Sequence, residues 1–305
     1  MKFFYVLLVA MTIFSCKNDA ELAKDTPTTK AEKPVSQSEN RHLTQKFKDY
    51  WYNGTAEISS YDISVARYGE MREGTGVMIF VTEPFDNKDQ IKASQPKEDN
   101  RPVLKLNATR DFNTGIYPYK IMSSTFLPLD KKDNAIKIAT SVQEWCGHTY
   151  MQINQSEDRY DVTLHSYFQS EGNRNFEIDN VLTENQIAAQ LRLGPKEMPI
   201  GELKVVPSTE YLRLKHVEAK PYDAVAKLSE IPDGYLYSVK FTDLGRTIAF
   251  KTEKEFPFKI LSWMDRYKDG AAPMVSTGTL KKTINTAYWR KNSNEDSVLR
   301  DSLAL

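Results

Sequence analysis

Glu144-Trp145-Cys146-Gly147-His148 gathers an acid, a thiol and an imidazole within five residues. On an unbroken strand, positions 144, 146 and 148 share one face, because side chains alternate with period two. Asn154 and Arg159 flank a polar turn, Gln155-Ser156-Glu157-Asp158, and a hairpin folded about that turn sets His148 opposite His165. The same register puts Thr149 opposite Leu164, Met151 opposite Val162 and Ile153 opposite Tyr160 on an apolar face. His148, Tyr150, Gln152, Asp161, Thr163 and His165 fall on the other face. Cross-strand partners bring Cβ atoms to ~4.5–5.5 Å, close enough for two imidazoles to share a metal. A slip of one residue would scatter the set.

Three readings are open to these residues. His148 and His165, with Glu144 or Cys146 as third ligand, would hold zinc or copper, ions suited to nitrogen and thiolate. Alternatively, Cys146 would be a nucleophile and His148 its base, with Glu144 beside them, because thiolate formation needs a base within hydrogen-bond reach. The third and favoured reading places the histidines on a polar sheet face or in a filled barrel interior and packs Cys146 and Trp145, with no catalytic group and no cofactor. The sequence has four histidines in all and no HExxH or CxxC, so neither chemistry has a dedicated spacing. GxGxxG, P-loop and GxSxG patterns are absent as well. The balance is against an enzyme.

Strands must position these groups. Beyond Phe47, apolar residues alternate or run in short β-branched and aromatic stretches broken at Gly, Asn, Asp and Pro. Strands are expected at 55–67, 76–83, 102–109, 116–127, 135–145, 148–154 and 159–170, then at 203–206, 211–214, 224–228, 235–241, 247–252, 258–267 and 276–288. A long polar hairpin loop is expected at 86–101. Two helices are expected. Thr183-Glu184-Asn185-Gln186 is a capping box whose helix stops at Gly194-Pro195, and Ser293-Asn294-Glu295-Asp296 opens the second, with Val298, Leu299 and Leu303 as its apolar side. Many strands without crossover helices imply antiparallel pairing. The expected fold is mainly β, antiparallel sheets forming a barrel or curved half-barrel, with the first helix as the seam between two β modules at 46–180 and 181–305.

The first residues read as an export signal. Lys2 precedes an apolar run from Phe3 to Phe14, too short to cross a ~30 Å hydrocarbon core and of the length of a signal-peptide centre. Thr12-Ile13-Phe14-Ser15-Cys16 resembles the lipobox of bacterial lipoproteins, which implies cleavage after Ser15, a signal peptide at 1–15 and acylation of Cys16. Two or more acyl chains anchor a protein stably in a bilayer. Lys17 after that cysteine favours the outer membrane in lipoprotein sorting. Cys146 is then left without a disulfide partner, and burial is expected for it. Residues 17–45 contain no aromatic side chain and are rich in Lys, Glu, Asp, Thr, Ser and Pro, so they read as a disordered tether. Such a stretch reaches at most ~100 Å.

Charge excludes one class of partner. Lys plus Arg number 41 and Asp plus Glu number 41, so no global field draws nucleic acid, and none is expected to bind. The blocks Tyr50-Trp51-Tyr52-Asn53-Gly54, Ala66-Arg67-Tyr68-Gly69-Glu70, Phe80-Val81-Thr82-Glu83-Pro84-Phe85, Gln143-Glu144-Trp145-Cys146-Gly147-His148 and Tyr288-Trp289-Arg290-Lys291-Asn292-Ser293 resemble a group of uncharacterised bacterial lipoproteins labelled "septum formation inhibitor Maf". The Maf pyrophosphatases carry a Ser-rich start with paired arginines in an α/β fold, and that motif is missing here. The resemblance therefore implies an envelope lipoprotein and no activity. The expected role is an outer-membrane-anchored binding or envelope-assembly module with a lipid or protein partner. The alternative is a metal-binding or thiol-dependent envelope enzyme built on Glu144, Cys146, His148 and His165.

Overall fold

The computed structural model describes residues 39–95 and 97–305; the signal peptide, Cys16 and most of the expected tether lie outside the described residues. Alternation along the chain becomes strands wherever it was expected to, with one exception. After a short helix, α1 (Gln45–Trp51), come β1 (Ala56–Arg67), β2 (Glu70–Asp86), β3 (Ile91–Lys92), β4 (Arg101–Thr114) and β5 (Tyr117–Pro128). They are followed by β6 (Lys137–Glu144), β7 (Gly147–Ser156), β8 (Arg159–Ser166), β9 (Arg174–Asp179) and β10 (Leu182–Thr183). The second half holds α2 (Glu184–Leu191), β11 (Gly201–Val206), α3 (Thr209–Lys215), β12 (Tyr222–Ile231), β13 (Gly234–Phe241), β14 (Arg246–Glu253), β15 (Ile260–Asp269), β16 (Ala272–Thr286) and α4 (Val298–Ser302).

These strands form one sheet in the order β10-β11-β12-β13-β14-β15-β16-β1-β2-β4-β5-β6-β7-β8-β9, with β3 added beside β2. Pairing is antiparallel between chain neighbours apart from the parallel pair β10–β11. The two halves of the chain contribute contiguous runs of strands, joined where β16 lies against β1. β9 and β10 are the two ends of the order, so the sheet is an open, strongly curved barrel.

Helix α2 fills the curve. Thr183 and Gln186 cap it reciprocally, as the sequence indicates, and six of its side chains are buried. A short helix reaches opposite walls only if the sheet wraps around it. Arg192, at its C-terminal end, grips Glu57 of β1, Glu184 at its start grips Arg246 of β14, and Asn185 donates to Ser123 of β5 at 3.0 Å. Ile187, Ala188, Ala189 and Leu191 pack into the same core as Tyr61, Phe80, Leu104, Ile121, Tyr237 and Trp263.

Residues 211–214, expected as a strand, are instead the body of α3. A run of Tyr-Leu-Arg-Leu is too short for its periodicity to separate helix from strand. Ser208 decides it, because its hydroxyl accepts from the Tyr211 amide and starts a helix. Helix α1 begins the same way at Thr44, and strand β9 has no alternation strong enough to reveal it. The C-terminal helix forms, but of its expected apolar side Leu303 is buried and Val298 is 60% exposed.

Candidate functional site

The β7–β8 hairpin turns on two residues, Glu157 and Asp158, and pairs Ser156 with Arg159. The expected pairing is therefore two residues out of step. Tyr150, not His148, faces His165, and His148 faces Gln143 of β6. Because the slip is even, every side chain keeps its expected face: Met151, Ile153, Tyr160, Val162 and Leu164 are buried, whereas His148 and His165 point to solvent. A tighter turn than the four-residue one read from the sequence accounts for the difference.

Trp145 and Cys146 form the tip of the β6–β7 hairpin, so 144, 146 and 148 do not line one strand face. The buried Glu144 carboxylate accepts from the Cys146 amide at 2.6 Å, closing its own turn. Cys146 is exposed, against the expectation of burial, because it sits at that tip. Its hydrogen bond to Glu144 and that group's negative charge hold the thiol above its ordinary pKa, the opposite of an activated nucleophile. Among the described residues, no three His, Cys, Asp or Glu side chains gather as a metal cage would need.

Two ion networks occupy the interior. Arg246 binds Glu184 at 2.7 Å and Asp265 at 2.8 Å, and Glu210 of α3 binds Arg110 of β4 at 2.8 Å. Burial raises the pKa of Glu210 and of Asp265, against the pull of Arg110 and Arg246 respectively. Arg192 clasps Glu57 at 2.5 and 2.6 Å and stacks over Phe80 at 4.7 Å. Space beside the first network amounts to about 30 Å³, one water rather than a substrate. Both networks fasten α2 and α3 to the walls.

The roomy site lies elsewhere. A cavity of about 980 Å³ is walled by β6 to β9 on one side and by α3 with the segment after it on the other. Val142, Met151, Leu164 and Ile178 of the strands and Leu212 of α3 are its apolar lining. Glu171 from the loop after β8, with Arg213 and His216 from the end of α3, adds a charged group to the lining. His216 takes the left-handed position that ends α3, with φ of 52°, a place where glycine is the easy residue. Its Nδ1 lies 2.7 Å from Glu171. Ser166 donates to the same carboxylate at 2.6 Å, and Arg213 approaches it at 3.4 Å. Reading 211–214 as a strand hid this cluster. The signal was there in Ser208, a helix cap that starts the helix carrying Arg213 and ending at His216.

No family model matches the chain. No curated protein matches it either. A search of solved structures finds a β-barrel-like protein of a domain of unknown function, DUF1849, from Brucella abortus, at 10% identity and a TM-score of 0.45, covering 76% of this chain and 98% of that one.

Proposed function

We propose that the chain is an envelope-anchored binding module whose ligand occupies the cavity beside α3. The cavity carries this reading. Its volume of about 980 Å³ is at the upper end of small-ligand sites, which join apolar walls to a few polar groups. The barrel centre itself is filled and locked by Arg192 and Arg246, and this space exceeds the cavity of about 400 Å³ beside Arg41. The anchor rests on the lipobox-like residues ending at Cys16, with the outer membrane as its place and the bilayer as its first partner.

Each half has its own test. Cells fed radiolabelled palmitate should label the protein, and Cys16→Ser should remove the label. The neutral fluorophore N-phenyl-1-naphthylamine should bind saturably at one site per chain, and Val217→Trp or Ala219→Trp, which fill the cavity from its half-exposed wall, should remove that binding without lowering thermal stability. Unchanged binding in both folded variants refutes the site.

A further inference from the structure

We propose that the cavity takes an amphiphilic anion, its charged end on Arg213 and His216 and its apolar body against Met151, Leu164, Ile178 and Leu212. This rests on the reading of the cavity as a binding site and specifies what enters it. The observation behind it is an underused buried cation. The Arg213 side chain is 7% exposed, meets a carboxylate through one Nη at 3.4 Å and has no hydrogen-bond partner at Nε. A guanidinium has five N–H donors. The two arginines that lock the barrel centre differ: Arg246 engages two carboxylates, and Arg192 clasps Glu57 while its Nε donates to the Pro257 carbonyl.

The acids around the cavity are already engaged. Glu171 receives His216 and Ser166, Glu218 holds Lys220 at 2.6 Å, and Glu177 faces Arg159 at 3.2 Å. Arg174, on the same lining, has no carboxylate partner among the described residues. The ring of Phe168 lies 4.4 Å from the Arg213 guanidinium and covers one of its faces, so an incoming anion meets the in-plane donors. One anion satisfies this wall. The apolar part of the lining asks for hydrocarbon, and a carboxylate or phosphate on a long chain supplies both.

The test compares three ligands of equal chain length, palmitate, hexadecyl phosphate and 1-hexadecanol, as competitors of N-phenyl-1-naphthylamine. The protein is the full chain carrying Cys16→Ser, purified without detergent so that no acyl group of its own competes. At least one anion should compete about tenfold or more below the alcohol, as a charge-assisted bond implies. The stronger anion tells a fatty acid from a phosphorylated lipid. Arg213→Gln should erase the preference and leave alcohol binding unchanged, a result that a loss of folding cannot mimic. Glu171→Gln removes the competing carboxylate and should strengthen anion binding several-fold. An alcohol that competes as well as both anions overturns the anion assignment while leaving the cavity as a site. If none of the three competes and Val217→Trp leaves fluorophore binding intact, the cavity itself is the wrong site.

Discussion

Arg192→Met should destabilise the protein more than almost any other single change in it. Both Arg192 and Glu57 have side chains 1% exposed. Removing the guanidinium strands the Glu57 carboxylate and the Pro257 carbonyl, which it serves at 2.7 Å, in the interior. Leaving one member of such a pair costs about 3–5 kcal/mol, a fall in Tm of roughly 6–20 °C at ~2–4 °C per kcal/mol. The loss has a pH signature. Burial pushes the Glu57 carboxyl up, but Arg192, helped by the Tyr50 hydroxyl and Lys259, holds it below the usual range. A depressed carboxyl contributes stability that is present above its unfolded pKa and lost as pH falls through the folded value. Without Arg192, burial is opposed only by the Tyr50 hydroxyl and Lys259 and the carboxyl rises, so the variant's deficit should be greatest at pH 7 and shrink towards pH 4. Urea titrations at a series of pH values read it directly. Glu57→Leu in the Arg192→Met background removes the stranded charge and should recover most of the loss. A single variant within 1 kcal/mol of the parent, or a deficit that grows on acidification, would refute this account of how α2 is held.

Other outcomes follow from single groups. Glu144→Gln should speed alkylation of Cys146 by iodoacetamide near pH 8, because the carboxylate that keeps the thiol protonated is gone; an unchanged pH–rate profile contradicts that pairing. Glu157 sits at the first central position of the β7–β8 turn with φ of 46°, so Glu157→Gly should raise stability by up to ~1 kcal/mol by relieving left-handed strain. Chemical denaturation tests this, and a loss would contradict it. Glu210 has its carboxyl pKa raised by burial, so the folded state keeps that proton to higher pH than the unfolded chain and stability is lost as pH rises through the window between the two values. In Glu210→Gln this component should vanish, making its stability less sensitive between pH 4 and 7 than the parent's.

Faces were legible in the sequence and pairings were not. Alternation alone sorted Met151, Ile153, Val162 and Leu164 inward and His148 and His165 outward, because the two sides of a curved sheet differ so sharply in solvent. Register depends on how many residues a turn consumes. Ser156-Glu157-Asp158-Arg159 offers no Gly or Asn to mark its central pair, so the sequence does not reveal that Ser156 pairs with Arg159. The capping box at Thr183 announced α2, yet nothing local told that its helix would fill a sheet built from both halves of the chain. That role comes from Arg192 meeting Glu57 and Arg246 meeting Glu184, contacts spanning 135 and 62 residues. The Glu171–Arg213–His216 group is likewise a long-range product, assembled from the loop after β8 and the end of a helix that read as a strand.

Native mass spectrometry of the protein drawn from its own membrane tests most directly whether the cavity beside α3 is occupied in life. The parent chain should carry one non-covalent adduct of amphiphile size in addition to acyl groups at Cys16, and Val217→Trp should carry the acyl groups alone. A parent chain free of any such adduct, or an adduct that survives in the folded variant, would contradict the cavity's role.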